Sequence, residues 1–125
     1  PGGHLRVLGR KSQLIIRGGA NVYPAEVERV LSEAPGVQAC AVVGVPDERL
    51  GERVGAVIEP VPGHVLDAGE IIAQCRVALA SYKVPERMAF VERLPRNQMG
   101  KIPRAAVAEI LTGPAAFAPN DRMKR

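Results

Sequence analysis

Lys101 stands at the tip of a tight loop, Leu94-Pro95-Arg96-Asn97-Gln98-Met99-Gly100-Lys101-Ile102-Pro103-Arg104, between a strand-like run and a helix-like run. The chemistry open to it is electrostatic, since an ammonium is a compact point charge on a long stem and need not lose its proton to act. Pro95 removes a backbone donor and fixes φ, while Gly100 permits conformations closed to other residues, so the lysine can be presented at a bent, closely approached surface. Pro103 suits the first turn of a helix that anchors the loop. For an arbitrary Gly-Lys pair a solvated lysine would be the plainer reading, so the surrounding chain must decide.

Other chemistry-bearing residues are less organised. Gly18-Gly19 serves equally as a turn or as a place where a ligand approaches the backbone. Asp47, Glu48 and Glu52 lie in a polar connection with nothing nearby in sequence to raise a carboxyl pKa, so they read as solvated. Cys40 and Cys75 lack C-x-x-C spacing and sit in apolar surroundings, which indicates buried, reduced thiols rather than a disulfide framework or a zinc site. His4 and His64 are solitary, and no metal site is expected.

The chain has 125 residues, enough for one domain with a real core, and 46% of them are hydrophobic. No run approaches the ~18 apolar residues of a membrane span, and no signal segment opens the chain. It begins at Pro1 with strand-like residues and no methionine, so a piece of a longer protein is expected, in a cytoplasmic setting. A net charge of +4 favours anionic partners. With only 3% aromatic residues there is little stacking surface for nucleic acid, and a phosphorylated small molecule explains the charge equally well.

The positioning elements follow from periodicity and punctuation. Leu5–Leu8 and Leu14–Ile16 form a small hairpin or two strands at a polar elbow, closed by Gly18-Gly19. Pro24 opens a helix with Val27, Val30, Leu31 and Ala34 on its buried face, and Pro35-Gly36 ends it. Val37–Val45 reads as an interior strand covered on both faces, and Arg53–Glu59 as a strand with Val54, Ala56 and Ile58 on one face. Asp67 caps a second helix, with Glu70 three residues on and a stripe of Ile71, Cys75, Ala78 and Leu79. Arg87–Val91 is a third strand feeding the lysine loop, and a last helix runs from about Pro103 to Leu111, burying Val107, Ile110 and Leu111. The fold class is α/β (α+β): a small N-terminal hairpin, then a three-stranded sheet packed with about three helices. The domain is expected over 1–112, with 113–125 a mobile tail.

Two segments, Gly9-Arg10 through Glu28 and Leu94 through Ile102, together resemble the C-terminal domain of the adenylate-forming superfamily of acyl-CoA synthetases, peptide-synthetase adenylation domains and luciferases. Between them Val45-Pro46-Asp47 with Gly51-Glu52, and Tyr82-Lys83-Val84-Pro85, fall in the family's order. The likeness covers roughly residues 3 to 111. The form Gly18-Gly19-Ala20-Asn21-Val22-Tyr23-Pro24 is closer to acyl-CoA and aryl-CoA synthetases than to peptide-synthetase domains.

The resemblance implies the C-terminal mobile domain of an ATP-dependent acid–thiol ligase. Lys101 would be the lysine of the step in which a carboxylate attacks the α-phosphorus of ATP and pyrophosphate leaves. Arg10 would lie near the nucleotide ribose, Ser12 at the hinge about which the domain swings, and Gly18 and Gly19 along the pantetheine channel. Ser12 departs from the aspartate or lysine usual at the hinge. Lys83 and Arg87 could meet the phosphates of coenzyme A, although Glu86 lies between them, Val84 is apolar, and solvated charge is the plainer reading. ATP, Mg2+ and the acid pocket belong to an N-terminal domain not contained here, which is the expected partner, so the fragment alone is expected to be inactive. Coenzyme A is the expected co-substrate. The alternatives are a ligase loading a carrier protein's phosphopantetheine arm and a non-catalytic α/β binding module.

Overall fold

The computed structural model describes residues 14–119. Strand β1 (Ile15–Arg17) turns through Gly18-Gly19 into β2 (Ala20–Val22), and helix α1 (Pro24–Ser32) follows at once. Both turn glycines have positive φ, 58° and 88°, the requirement of a two-residue hairpin loop whose twist matches its strands. The hairpin therefore pairs Ile15–Arg17 with Ala20–Val22, whereas the expected partner Leu5–Leu8, like Arg10 and Ser12, lies outside the described residues. Pro24 sits at the start of α1, as its fixed φ predicts, and Val27, Val30, Leu31 and Ala34 are buried.

Strands β3 (Val37–Asp47) and β4 (Gly51–Pro60) form a long antiparallel hairpin, so the connection expected at 46–52 shrinks to three residues. Asp47 shapes that turn by accepting the backbone N–H groups of Arg49 at 2.8 Å and Leu50 at 2.9 Å. Helix α2 (Ala68–Ala78) is capped by Asp67, which accepts from Glu70 N at 3.2 Å. A short 3-10 turn (Ser81–Lys83) leads to β5 (Arg87–Phe90), and α3 (Arg104–Thr112) closes the chain's last layer.

All five strands share one sheet, so the expected hairpin and three strands are one surface rather than two units. β4 is its centre. β3 runs antiparallel along one side of it, while the other side takes β5 in parallel and, beyond it at Gly51, β1 in antiparallel pairing. The order β2-β1-β4-β3 places β3 at an edge. Its near-continuous apolar run is explained by helices on both faces, not by strands on both sides. The edge is covered by side chains and by composition: Glu28 Oε2 accepts the Val42 N–H at 2.9 Å, and Pro46, on the same side of the strand, has no N–H.

The core has two layers. Val54, Ala56 and Ile58 face α1 and α2, together with Ile15, Val22, Val42 and Met88. Val57, Ala89 and Leu94 face Val107 and Leu111 of α3. Gly55 lets α3 approach, because a Cβ there would lie 2.6 Å from Val45 Cγ2 and 2.7 Å from Leu111 Cδ1.

Three expectations shift in detail. Ala78 is exposed and Ile72 takes its place in the buried stripe of α2, because the chain leaves the helix at Leu79 in an extended conformation. Pro103 caps α3 with extended ψ instead of occupying its first turn, and Ile110 is only half-buried. Within the stretch read as a tail, Phe117 exchanges two backbone hydrogen bonds with Met88, at 2.8 and 2.9 Å, and meets Phe90 edge to face at 5.6 Å. Among the described residues no helix is long and apolar enough to cross a membrane.

Candidate functional site

The lysine loop is rooted at Leu94, which is buried and whose N–H donates to Glu59 Oε1 of β4 at 2.9 Å. From Arg96 to Lys101 every residue is exposed. Hydrogen bonds, not packing, shape this segment. Asn97 Oδ1 accepts from Met99 N at 2.9 Å and from Lys101 N at 3.0 Å. Asn97 N donates to Lys101 O at 2.8 Å, and Gly100 N donates to Asn97 O at 2.9 Å. Gly100 takes φ 82°, and its carbonyl accepts from Arg96 Nη1 at 3.2 Å. Gly100 thus occupies the left-handed region at the loop's end, and Pro95 is half-buried at the root. Asn97 was not singled out in the sequence, although an Asn two residues before a turn's end is a known signal for a side-chain-closed turn.

The Gly18-Gly19 turn occupies another region. Gly18 N donates to Leu50 O at 2.8 Å, tying the turn to the Gly51 end of β4, whereas the root of the lysine loop hangs from the Glu59 end. At ~3.3 Å of rise per residue, those two anchor points are about 26 Å apart along the strand. A Cβ on Gly18 would meet Leu50 Cδ2 at 3.2 Å, and one on Gly19 would meet nothing within 4 Å. Ile16 and Tyr23, flanking the turn, are exposed by 42% and 51%, large apolar surfaces left open beside it.

Of the candidate cations, Lys83 lies on the side of that turn, while Arg87 sits midway along β4 between the two anchor points. Lys83 Nζ donates to Glu26 Oε1 in the first turn of α1 at 2.9 Å and stands 5.7 Å from the Tyr82 ring centroid. The bond to Glu26 raises the Lys83 pKa above its ordinary value. Arg87, half-buried, opens β5 opposite Gly55. Glu86 binds neither cation but Arg17, next to Gly18, through two bonds of 2.8 and 3.0 Å, and this raises the Arg17 pKa.

The carboxylates and thiols with shifted pKa values among the described residues serve the fold. Asp47 is held down to about 2 by the Leu50 N–H and Arg53, its role being the turn. Burial raises the half-buried Glu28, opposed by the Val42 N–H. Burial also pushes the thiols of Cys40 and Cys75 up, to about 12 and about 11, away from the reactive thiolate form. Among the described residues no three His, Cys, Asp or Glu side chains cluster as a metal would require.

The AMP-binding enzyme C-terminal domain family matches residues 26–101. A feruloyl-CoA synthase from Amycolatopsis is 49% identical over 105 residues, which are 84% of this chain and 21% of that protein. An indoleacetate–CoA ligase from Aromatoleum aromaticum is 44% identical over 109 residues, 87% of this chain and 21% of that protein. In three dimensions, ATP-bound MatB from Rhodopseudomonas palustris superposes with a TM-score of 0.74 at 39% identity, covering 81% of this chain and 20% of that one. The chain thus spans about a fifth of the length of these relatives. With the match extending from the first turn of α1 to Lys101 itself, the chain belongs to the AMP-binding enzyme C-terminal domain family.

Proposed function

We propose that this chain is the mobile C-terminal part of an ATP-dependent acid–thiol ligase, and that it supplies Lys101 to acyl-adenylate formation. The observation that carries the reading is the exposed lysine on a hydrogen-bonded loop at the end of the family match. As a carboxylate attacks the α-phosphorus, negative charge crowds the carboxylate and phosphate oxygens, and a preorganised ammonium between them lowers repulsion and stabilises the transition state. The relatives' names point to coenzyme A as the acceptor, and the ATP-bound relative supports ATP as the activating nucleotide.

The second half-reaction belongs to the other end of β4. Gly18 and Gly19 line the channel for the thiol arm, where the open space beside Gly19 leaves room for a ligand against the backbone. Lys83 on that side and Arg87 midway along β4 meet the phosphates of coenzyme A, with Glu26 as the carboxylate an incoming phosphate must displace from Lys83. Arg10 meets the nucleotide ribose and Ser12 serves as the hinge, both on the strength of the sequence likeness. Mg2+ and the acid are bound by the N-terminal domain, again on the strength of the sequence likeness. The setting is cytoplasmic.

The experiment uses the full-length ligase that carries this chain. Lys101→Ala is expected to lower acyl-adenylate formation by about 10²–10³ while thioester formation from supplied acyl-adenylate and coenzyme A persists. Equal loss in both half-reactions would refute the division of labour.

A further inference from the structure

We infer that Asn97 is the positioning residue of Lys101, an inference that rests on the role just proposed for the lysine. Between the buried root at Leu94 and half-buried Ile102, residues 96–101 are all exposed, so no core contact holds them. Five hydrogen bonds do, and four of them involve Asn97: its Oδ1 accepts from Met99 and Lys101, its N–H donates to Lys101 O, and its carbonyl accepts from Gly100. Two of the four therefore fix the peptide groups of Lys101 itself. The Arg96 bond to Gly100 O reaches the carbonyl side of the Gly100–Lys101 peptide group, but at 3.2 Å it is longer and leaves the Lys101 N–H and C=O to Asn97.

The physical consequence is specific. A lysine side chain has many rotamers, and its ammonium can be preorganised only if its Cα is fixed first. Removing the Oδ1 acceptor frees the Met99 and Lys101 amides to solvent and lets the Lys101 backbone drift. A displacement near 1 Å costs about 10² in rate where geometry controls the step. The carboxamide oxygen is spent on backbone amides, so Asn97 acts through the lysine and does not itself touch substrate.

The test compares Asn97→Ala, Asn97→Ser and Lys101→Ala in the full-length ligase. Each half-reaction is measured separately, and hydrogen–deuterium exchange is followed in the peptide spanning 97–101. Asn97→Ala is expected to speed exchange in that peptide alone and to lower the adenylation kcat by about 10–10², with thioester formation from supplied acyl-adenylate unchanged. Asn97→Ser, whose hydroxyl can accept the same amides more weakly, should recover part of both. Faster exchange with unchanged adenylation overturns the positioning role, as does equal loss in both half-reactions. If Lys101→Ala leaves adenylation intact, the role of the lysine falls separately. Unchanged exchange in Asn97→Ala then overturns the place of Asn97 in the loop.

Discussion

Glu86 commits both carboxylate oxygens to Arg17, 69 positions away in sequence, and so ties the segment before β5 to the strand that carries the glycine turn. The sequence places Glu86 between Lys83 and Arg87, where it reads as a damper on both. The fold instead gives it a different partner, and Lys83 takes Glu26.

Breaking this clamp should loosen the hairpin without unfolding the domain. Both side chains are only 24% exposed, and the geometry is bidentate, so a double-mutant cycle of Arg17→Met and Glu86→Gln should give a coupling of about 1 kcal/mol. Urea denaturation of the four proteins measures it. A coupling near zero would mean that the pair is incidental to stability.

Stability should respond to acid through two carboxyls of opposite sign. Asp47 titrates lower in the folded chain, about 2 against 3.8, so its contribution is complete above the unfolded value and is lost as pH falls toward 2. The gap in melting temperature between the natural chain and Asp47→Asn should therefore narrow over that interval. Glu28 is shifted up by burial, so its ionisation opposes folding as pH rises past 4.5 toward its folded value. Glu28→Gln, which can still accept the Val42 N–H, should remove that slope and match or exceed the natural chain in Tm at pH 7. A lower Tm for Glu28→Gln at neutral pH would show the charge to be favourable.

Gly19 separates a turn requirement from a ligand requirement. Alanine at its φ of 88° should cost about 1–2 kcal/mol, because L side chains resist the left-handed region. Its methyl group meets nothing within 4 Å in this chain. In the full-length ligase a folded Gly19→Ala should lose thioester formation by more than adenylation. Equal rates in both half-reactions would leave the glycine with a turn role only.

The thiols should be inert until the fold opens. Cys75 is fully buried and Cys40 half-buried, with pKa values pushed up to about 11 and about 12. A thiol reagent at pH 8 should therefore modify them slowly in native protein and promptly in denaturant. Prompt labelling of Cys40 in the native state would argue that the α1–β3 contact opens readily.

Elements governed by local rules were legible in the sequence. The Pro24 start, the Asp67 cap and the alternation of Val54, Ala56 and Ile58 each depend on a few neighbouring residues, and each stands where its pattern places it. Relations across the chain were not. An apolar run such as Val37–Val45 looks the same whether strands or helices cover it, so its edge position could not be inferred. Phe117 gave no periodic signal because its place depends on pairing with Met88. In the candidate site, Lys101 and Gly100 stood out as a charge and a breaker. Asn97 escaped notice because its task is to organise backbone groups, and its one signal, an Asn able to close a turn two residues on, says nothing about the lysine beyond it.

The covered flank of β3 bears on how such a domain survives in a crowded cell. In the role proposed above, a mobile domain would pass between two seats on a larger partner with its sheet margin in solvent. An open ladder there would recruit the margin of a second copy and grow into aggregates. With Glu28 occupying the Val42 N–H and Pro46 offering none, the strand presents a poor template for strand addition. Two residues, Glu28 and Pro46, thus close the margin of the sheet to a second copy.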